Sequence, residues 1–273
     1  MRARNYISFQ RRQNMGADNP AILVVSFGTS YEETRKKTIE QIENDIRHTY
    51  PSCPLYRAWT SPRIRAKLEK RDGIHIMDVR EAMEQMKADG IRKVIVQPTY
   101  VITGLESDAM KKNVLSFRDE FDSISICDSL IVSYEDKKNV CRIMTEEYHP
   151  AKDEIVLFMG HGTEHTANEI YKEMDYIFKR DGYPNMYMGT VEGDFSIDRF
   201  LSEIKPLHPR RILLAPFMIV AGDHATNDMS GNDEDSWKSI LEKEGYEVSC
   251  CLKGLGEIPA IRKIFIQHTG TAM

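Results

Sequence analysis

The chain has 273 residues, 41% of them hydrophobic and 29% charged, enough for one large domain or two modest ones at about 150 residues each. A formal net charge of -5 leaves no basic face for phosphate, so nucleic acid is not an expected partner. The five cysteines form no C-x-x-C pair, which argues against a disulfide framework or thiolate zinc site and for free thiols in a reducing cytoplasm.

The arginine-rich residues 1–19 lack the apolar stretch of a signal peptide and are expected to be a disordered leader, with Met15 an alternative start. No apolar run reaches the roughly 18 residues of a membrane helix, so no membrane partner is expected. Residues 21–27, AILVVSF, read as a strand buried on both faces. Ser30-x-x-Glu33 reads as a capping box opening a helix over 31–48. Strands follow at 55–59, 94–102 and 124–127, with helices at 78–87 and 135–148. The cycle then restarts. Strand 154–159 is followed by Thr166-x-x-Glu169, a second capping box, and a helix to about 180. Strands at 186–191, 212–220 and 246–252 alternate with helices at 197–207, 236–244 and 258–267. Such alternation predicts an α/β protein with parallel sheets flanked by helices.

The restart carries an internal match. RKVIVQPTYVITGLE, residues 92–106, lies over RRILLAPFMIVAGDH, residues 210–224. Pro98 falls over Pro216, Gly104 over Gly222 and Glu106 over His224. SFGTS at 26–30 lies over GHGTE at 160–164, which puts Phe27 over His161, Gly28 over Gly162 and Thr29 over Thr163. A weaker match sets Thr60 over Glu192. Two similar domains are expected, at 20–150 and 151–273, facing each other across a cleft, with the last helix free to pack on either.

Ligands of open parallel sheets bind beyond the carboxyl ends of the strands. His161, Glu192 and His224 end three strands of the second half, and the first half has no histidine at the matching positions. Two imidazoles and a carboxylate suit Co, Ni, Fe or Zn with open positions for a substrate. Asp223 and Asp228 flank His224, where either orients its ring or caps a helix. His165 is expected to be exposed or substrate-facing, and His208 and His268 to lie on the surface. No P-loop, complete dinucleotide fingerprint, G-x-S-x-G elbow or H-E-x-x-H is present.

Several of these segments together, SFGTS, MGHGTEH, TVEGDF, VAGDHATNDMSG with DEDSW after it, and GLGEIPAIR, resemble the anaerobic sirohydrochlorin cobaltochelatases of the class II chelatase superfamily. The resemblance runs from about residue 21 to the C-terminus. It implies two similar α/β domains around a cleft, and ATP-independent insertion of Co²⁺ into sirohydrochlorin in oxygen-independent cobalamin synthesis. It also favours a homo-oligomer. The family's metal-binding histidine in the G-H-G turn matches His161, its V-E carboxylate Glu192, its A-G-D-H histidine His224, and its acidic residue in the first-domain cleft Glu106. Members often carry histidine where this chain has Tyr100, and Gly104-Leu105-Glu106 stands for their G-D-E.

The implied roles follow. His161, Glu192 and His224 bind the metal. His161, His224 and Glu106 carry the catalysis, with His161 the best candidate base and Glu106 a proton acceptor on the opposite wall. Gly28, Thr29, Ser30, Gly162 and Thr163 face the substrate at helix N-termini, where backbone N–H groups suit anions, and Tyr100 lines the same cleft. Arg57 and Arg63 are candidate partners for substrate carboxylates. No organic cofactor is expected, only the divalent metal as substrate. The alternatives are a ferrochelatase or nickel chelatase on a related tetrapyrrole, or a non-catalytic carrier of tetrapyrrole or metal.

Overall fold

The computed structural model describes residues 19–193 and 195–273, so all of the expected leader except Asn19 lies outside the described residues. Apolar runs make the sheets. β1 (Ala21–Ser26) is buried at every position, and β2 (Leu55–Trp59), β3 (Lys93–Pro98) and β4 (Ser123–Ile126) pair with it or its neighbours in the order β2-β1-β3-β4. β5 (Glu154–Gly160), β6 (Met186–Thr190), β7 (Arg211–Pro216) and β8 (Glu247–Cys250) form a second four-stranded sheet in the order β6-β5-β7-β8. All pairings are parallel.

The internal match survives as register. Val25 pairs with Pro98 in the first sheet and Met159 with Pro216 in the second, the partners the alignment requires. Past the strand ends, Ser61 N–H bonds the Phe27 carbonyl at 3.2 Å and Glu192 N–H bonds the His161 carbonyl at 2.9 Å. The counterpart of Glu192 is therefore Ser61, one residue later than the expected Thr60.

Ten α-helices are described: α1 (Glu32–Lys37), α2 (Ile39–Thr49), α3 (Pro62–Asp72), α4 (Val79–Ala88), α5 (Leu105–Leu115), α6 (Tyr134–Tyr148), α7 (Glu169–Arg180), α8 (Ile197–Ile204), α9 (Trp237–Lys243) and α10 (Pro259–Thr271). Neither expected capping box at 30–33 or 166–169 forms. Tyr31 caps α1 without a side-chain bond, and Thr166 enters a 3-10 turn, Thr166–Asn168, ahead of α7. The helix expected over 31–48 is broken at Thr38, whose ψ of -86° leaves the helical basin while its hydroxyl donates back to the Thr34 carbonyl at 2.6 Å. The strand expected to reach residue 102 ends at Pro98.

The last helix of each half crosses over. α10 lies on the first sheet: Thr269 Oγ1 donates to Gln97 Oε1 at 3.0 Å, Arg262 pairs with Asp45 at 2.6 Å, and Tyr50 donates to the Ile266 carbonyl at 2.9 Å. α6 lies on the second half, with Tyr148 edge-on to Phe158 at 5.1 Å and Cys141 Sγ against the Met174 carbonyl. One apolar core joins the inner faces of both sheets, running from Ile22 and Val24 through Phe158 and Phe217 to Phe265. Cys53, Cys127 and Cys141 are buried in it, and all five cysteines are free. Among the described residues no helix is long and apolar enough to cross a membrane.

Candidate metal-insertion site

The strand ends of both halves open on one cavity of about 470 Å³. Of the sequence-predicted residues, Gly28, Thr29, Ser30, Tyr100, Glu106, His161, Gly162, Thr163 and His224 line it, and Glu192 does not. Ile39, Ile64, Phe217 and Ile219 supply apolar wall, as suits a site for a flat organic ring.

β5 ends at Gly160, where a Cβ would lie 2.4 Å from the Tyr171 ring, so the bare backbone lets that buried tyrosine pack beneath the turn. His161 follows, then Gly162 at φ +83°, a left-handed conformation that glycine adopts without cost. His161 Nδ1 sits 3.0 Å from the Gly162 carbonyl oxygen. A carbonyl only accepts, so Nδ1 carries a proton, and in the neutral ring Nε2 is the nitrogen left for a metal. His224 heads a π-helical turn, Ala225–Met229, and its Nδ1 lies 2.5 Å from Asp228 Oδ2. The carboxylate accepts from that ring's Nδ1, so in the neutral imidazole Nε2 is the nitrogen left for a metal. The two rings meet edge to face with centroids 4.6 Å apart. Asp228 thus orients the imidazole, while Asp223 accepts from the Tyr31 hydroxyl of the other half at 3.2 Å.

Glu192 hangs from the same turn but is exposed, and its backbone closes over Gly162, whose Cβ would meet the Glu192 carbonyl at 2.0 Å. Among the described residues no three His, Cys, Asp or Glu side chains come together as a metal-holding group. The structure assembles the histidine pair and leaves the carboxylate apart.

The first half presents Glu106, on the first turn of α5, and the half-exposed Phe27. Burial pushes the Tyr100 and Tyr171 hydroxyls up to about 12, and the Glu106 charge adds to both shifts, so both stay protonated near neutrality. Tyr100 donates to Thr60 Oγ1 at 3.4 Å. The expected anion cradle after Gly162 is not free: α7 starts only at Glu169, and Thr163 N–H is bonded to Asn168 Oδ1 at 3.1 Å. The Thr29 and Thr163 hydroxyls take matching internal bonds, accepting from Tyr31 and His165 N–H at 3.2 and 3.1 Å. His165 also faces Asp108 of the first half at 3.7 Å. Arg57 is already engaged: its partly exposed guanidinium is paired with the buried Glu43 carboxylate.

The family model described as cobalt chelatase (CbiK) matches residues 20–273. The chain belongs to this cobalt chelatase family. It is 35% identical over 254 residues to a protein of Salmonella typhimurium named sirohydrochlorin cobaltochelatase, covering 93% of this chain and 96% of that one. It is also 28% identical over 274 residues to the sirohydrochlorin cobaltochelatase CbiKC of Nitratidesulfovibrio vulgaris, covering 97% and 95%. SirB from Bacillus subtilis, solved with Fe³⁺, superposes with a TM-score of 0.62 at 13% identity over 93% of this chain and 95% of that one. At that identity the likeness is one of fold, the class II chelatase architecture of two like parallel sheets. The chain is a metal chelatase, and its own paired sheets present their strand ends to one cavity.

Sequence reasoning missed Tyr31, Lys67 and Tyr171 as cavity residues. Lys67 was hidden because α3 was not expected. Its signal was present: Ser61 accepts from Ile64 N–H at 3.3 Å as N-cap, and Pro62 occupies the first helical position.

Proposed function

We propose that this chelatase inserts Co²⁺ into sirohydrochlorin without ATP, in a cytoplasmic pathway to cobalamin. The observation that carries the reading is the imidazole pair, both rings tautomerically fixed and 4.6 Å apart at the wall of an apolar cavity. His161 and His224 hold Co²⁺ through Nε2, leaving positions open to the macrocycle nitrogens. As the ion enters, two pyrrole N–H protons leave, so charge balances. Glu106, on the opposite half, takes one of them, and His161 takes the other once its metal has moved on. Glu192 joins only by a side-chain rotation from its exposed position, which makes it the weakest of the three proposed ligands. Tyr100 stands where relatives often have histidine, and as a neutral hydroxyl it positions the ring rather than binding metal. Self-association, implied by resemblance, is open to light scattering.

Anaerobic insertion kinetics test the reading, with sirohydrochlorin and Co²⁺, Fe²⁺ or Ni²⁺, in wild type and His224→Ala. Cobalt turnover that disappears in the variant is the expected outcome. A spectral change limited to one equivalent of enzyme would identify a carrier instead, and faster turnover with iron or nickel would reassign the metal.

A further inference from the structure

Sirohydrochlorin bears acetate and propionate carboxylates around its rim, yet the protein is acidic and the cavity also contains Glu106 and Asp223. Among the described residues the only lysine or arginine side chains lining the cavity are Arg63 and Lys67. Both lie on α3, and four residues apart they share one helix face. Neighbouring arginines of α3 are engaged: Arg65 with Asp78 at 3.2 Å and Glu81 at 3.6 Å, and Arg71 with Asp72 at 2.6 Å and the Ser30 carbonyl at 2.8 Å. Among the described residues Arg63 and Lys67 have no carboxylate partner, and Lys67 has only the Tyr31 ring, 6.0 Å from its Nζ. Unpaired cations of this kind stand on one wall, and the histidines come from the other half.

Resting on the cobaltochelatase reading, we propose that Arg63 and Lys67 form the carboxylate-recognition wall of the site. They seat the macrocycle with a carboxylate-bearing edge against α3 and its ring nitrogens towards His161 and His224. Arg63 takes one carboxylate in a forked pair of N–H bonds, and Lys67 takes its neighbour as a point charge. Tyr31, between Lys67 and Asp223, keeps the cation from collapsing onto the acid. The wall selects rim-carboxylated tetrapyrroles over apolar porphyrins, a specificity the metal site cannot supply.

The test titrates metal-free sirohydrochlorin anaerobically into wild type, an Arg63→Gln/Lys67→Gln double variant and a charge-keeping Arg63→Lys/Lys67→Arg variant. Co²⁺ affinity is measured separately by calorimetry, and folding by circular dichroism. The double variant should bind the macrocycle at least about tenfold more weakly, the loss of one charge-assisted hydrogen bond. Its loss should fall on KM rather than kcat, its Co²⁺ affinity should hold, and its binding should lose salt dependence. The charge-keeping variant should recover most of the affinity. A folded double variant with wild-type affinity for sirohydrochlorin overturns the wall, whatever the turnover. Wild type that binds sirohydrochlorin through these residues but never inserts cobalt upholds the wall and removes the chelatase reading. Wild type that does not bind it at all removes both.

Discussion

Gly162 combines φ +83° with a Cβ position 2.0 Å from the Glu192 carbonyl oxygen. Gly162→Ala is therefore expected to lose more than the ~1–2 kcal/mol of a left-handed backbone alone, and to displace His161. Gly182→Ala is the control: its φ is +94° but nothing lies near its Cβ, so only the backbone cost should appear in urea titrations of the two variants. Asp228 makes a second residue-level prediction. Removing its charge from His224 Nδ1 by Asp228→Asn should weaken Co²⁺ binding about 10–100-fold, as for other ligand-orienting carboxylates. Calorimetry that finds no change would make the 2.5 Å contact incidental. Glu192→Ala should weaken Co²⁺ binding less than His161→Ala or His224→Ala, because its side chain lies outside the cavity lining. The meeting of His161 and His224 at one cavity was readable in the sequence because a repeat with unlike residues at matched strand ends marks where the two halves differ. The standing of Glu192 was not, since a strand-end position fixes where a backbone stops and not where its side chain turns.

Helices and strands were readable where burial sets their period, and less so where local hydrogen bonding competes. β1, β5 and α6 fall within a residue or so of expectation, being long apolar or strongly capped segments. Thr38 breaks a continuous helical pattern because its hydroxyl and backbone are satisfied elsewhere. The S-x-x-E and T-x-x-E signals did not act as caps: Thr29 and His165, one residue earlier, accept from Tyr31 and Ala167 N–H, and the helices start later, at Glu32 and Glu169. At this scale α10 is the element to test. Thr269 is fully buried and its hydroxyl is the donor to Gln97 Oε1 in the other half's sheet. Thr269→Val keeps the shape and strands that oxygen, at a cost of about 1–3 kcal/mol. Denaturation with urea checks it: a loss below a few tenths of a kcal/mol would mean that Gln97 finds another donor.

Across the whole molecule the crossed helices and a shared apolar core tie the two sheets together, so the halves are expected to unfold as one unit. Each half holds one tryptophan, Trp59 at the end of β2 and Trp237 in α9. Trp59→Phe and Trp237→Phe variants each leave one reporter, and their fluorescence midpoints should coincide with each other and with circular dichroism; separated midpoints would show independent halves. Alkali should weaken the fold. Burial raises the Cys127 thiol from 9.0 to about 12, and the Tyr100 and Tyr171 hydroxyls from 10.0 to about 12. In each case the unfolded chain loses its proton first, so stability is whole below about pH 9 and falls from there towards pH 12. Urea midpoints across that range measure it, and a flat profile would contradict the burial. The fold class was readable from alternating elements, but the helix crossover was not, because an apolar helix face does not say which sheet it covers. The matched strand ends have a further consequence. Two separate but identical subunits would have to mirror every change at the cleft, placing histidine opposite histidine. Joined in one chain, the halves are free to differ, and here one lip carries His161 and His224 where its twin carries Phe27 and Glu106.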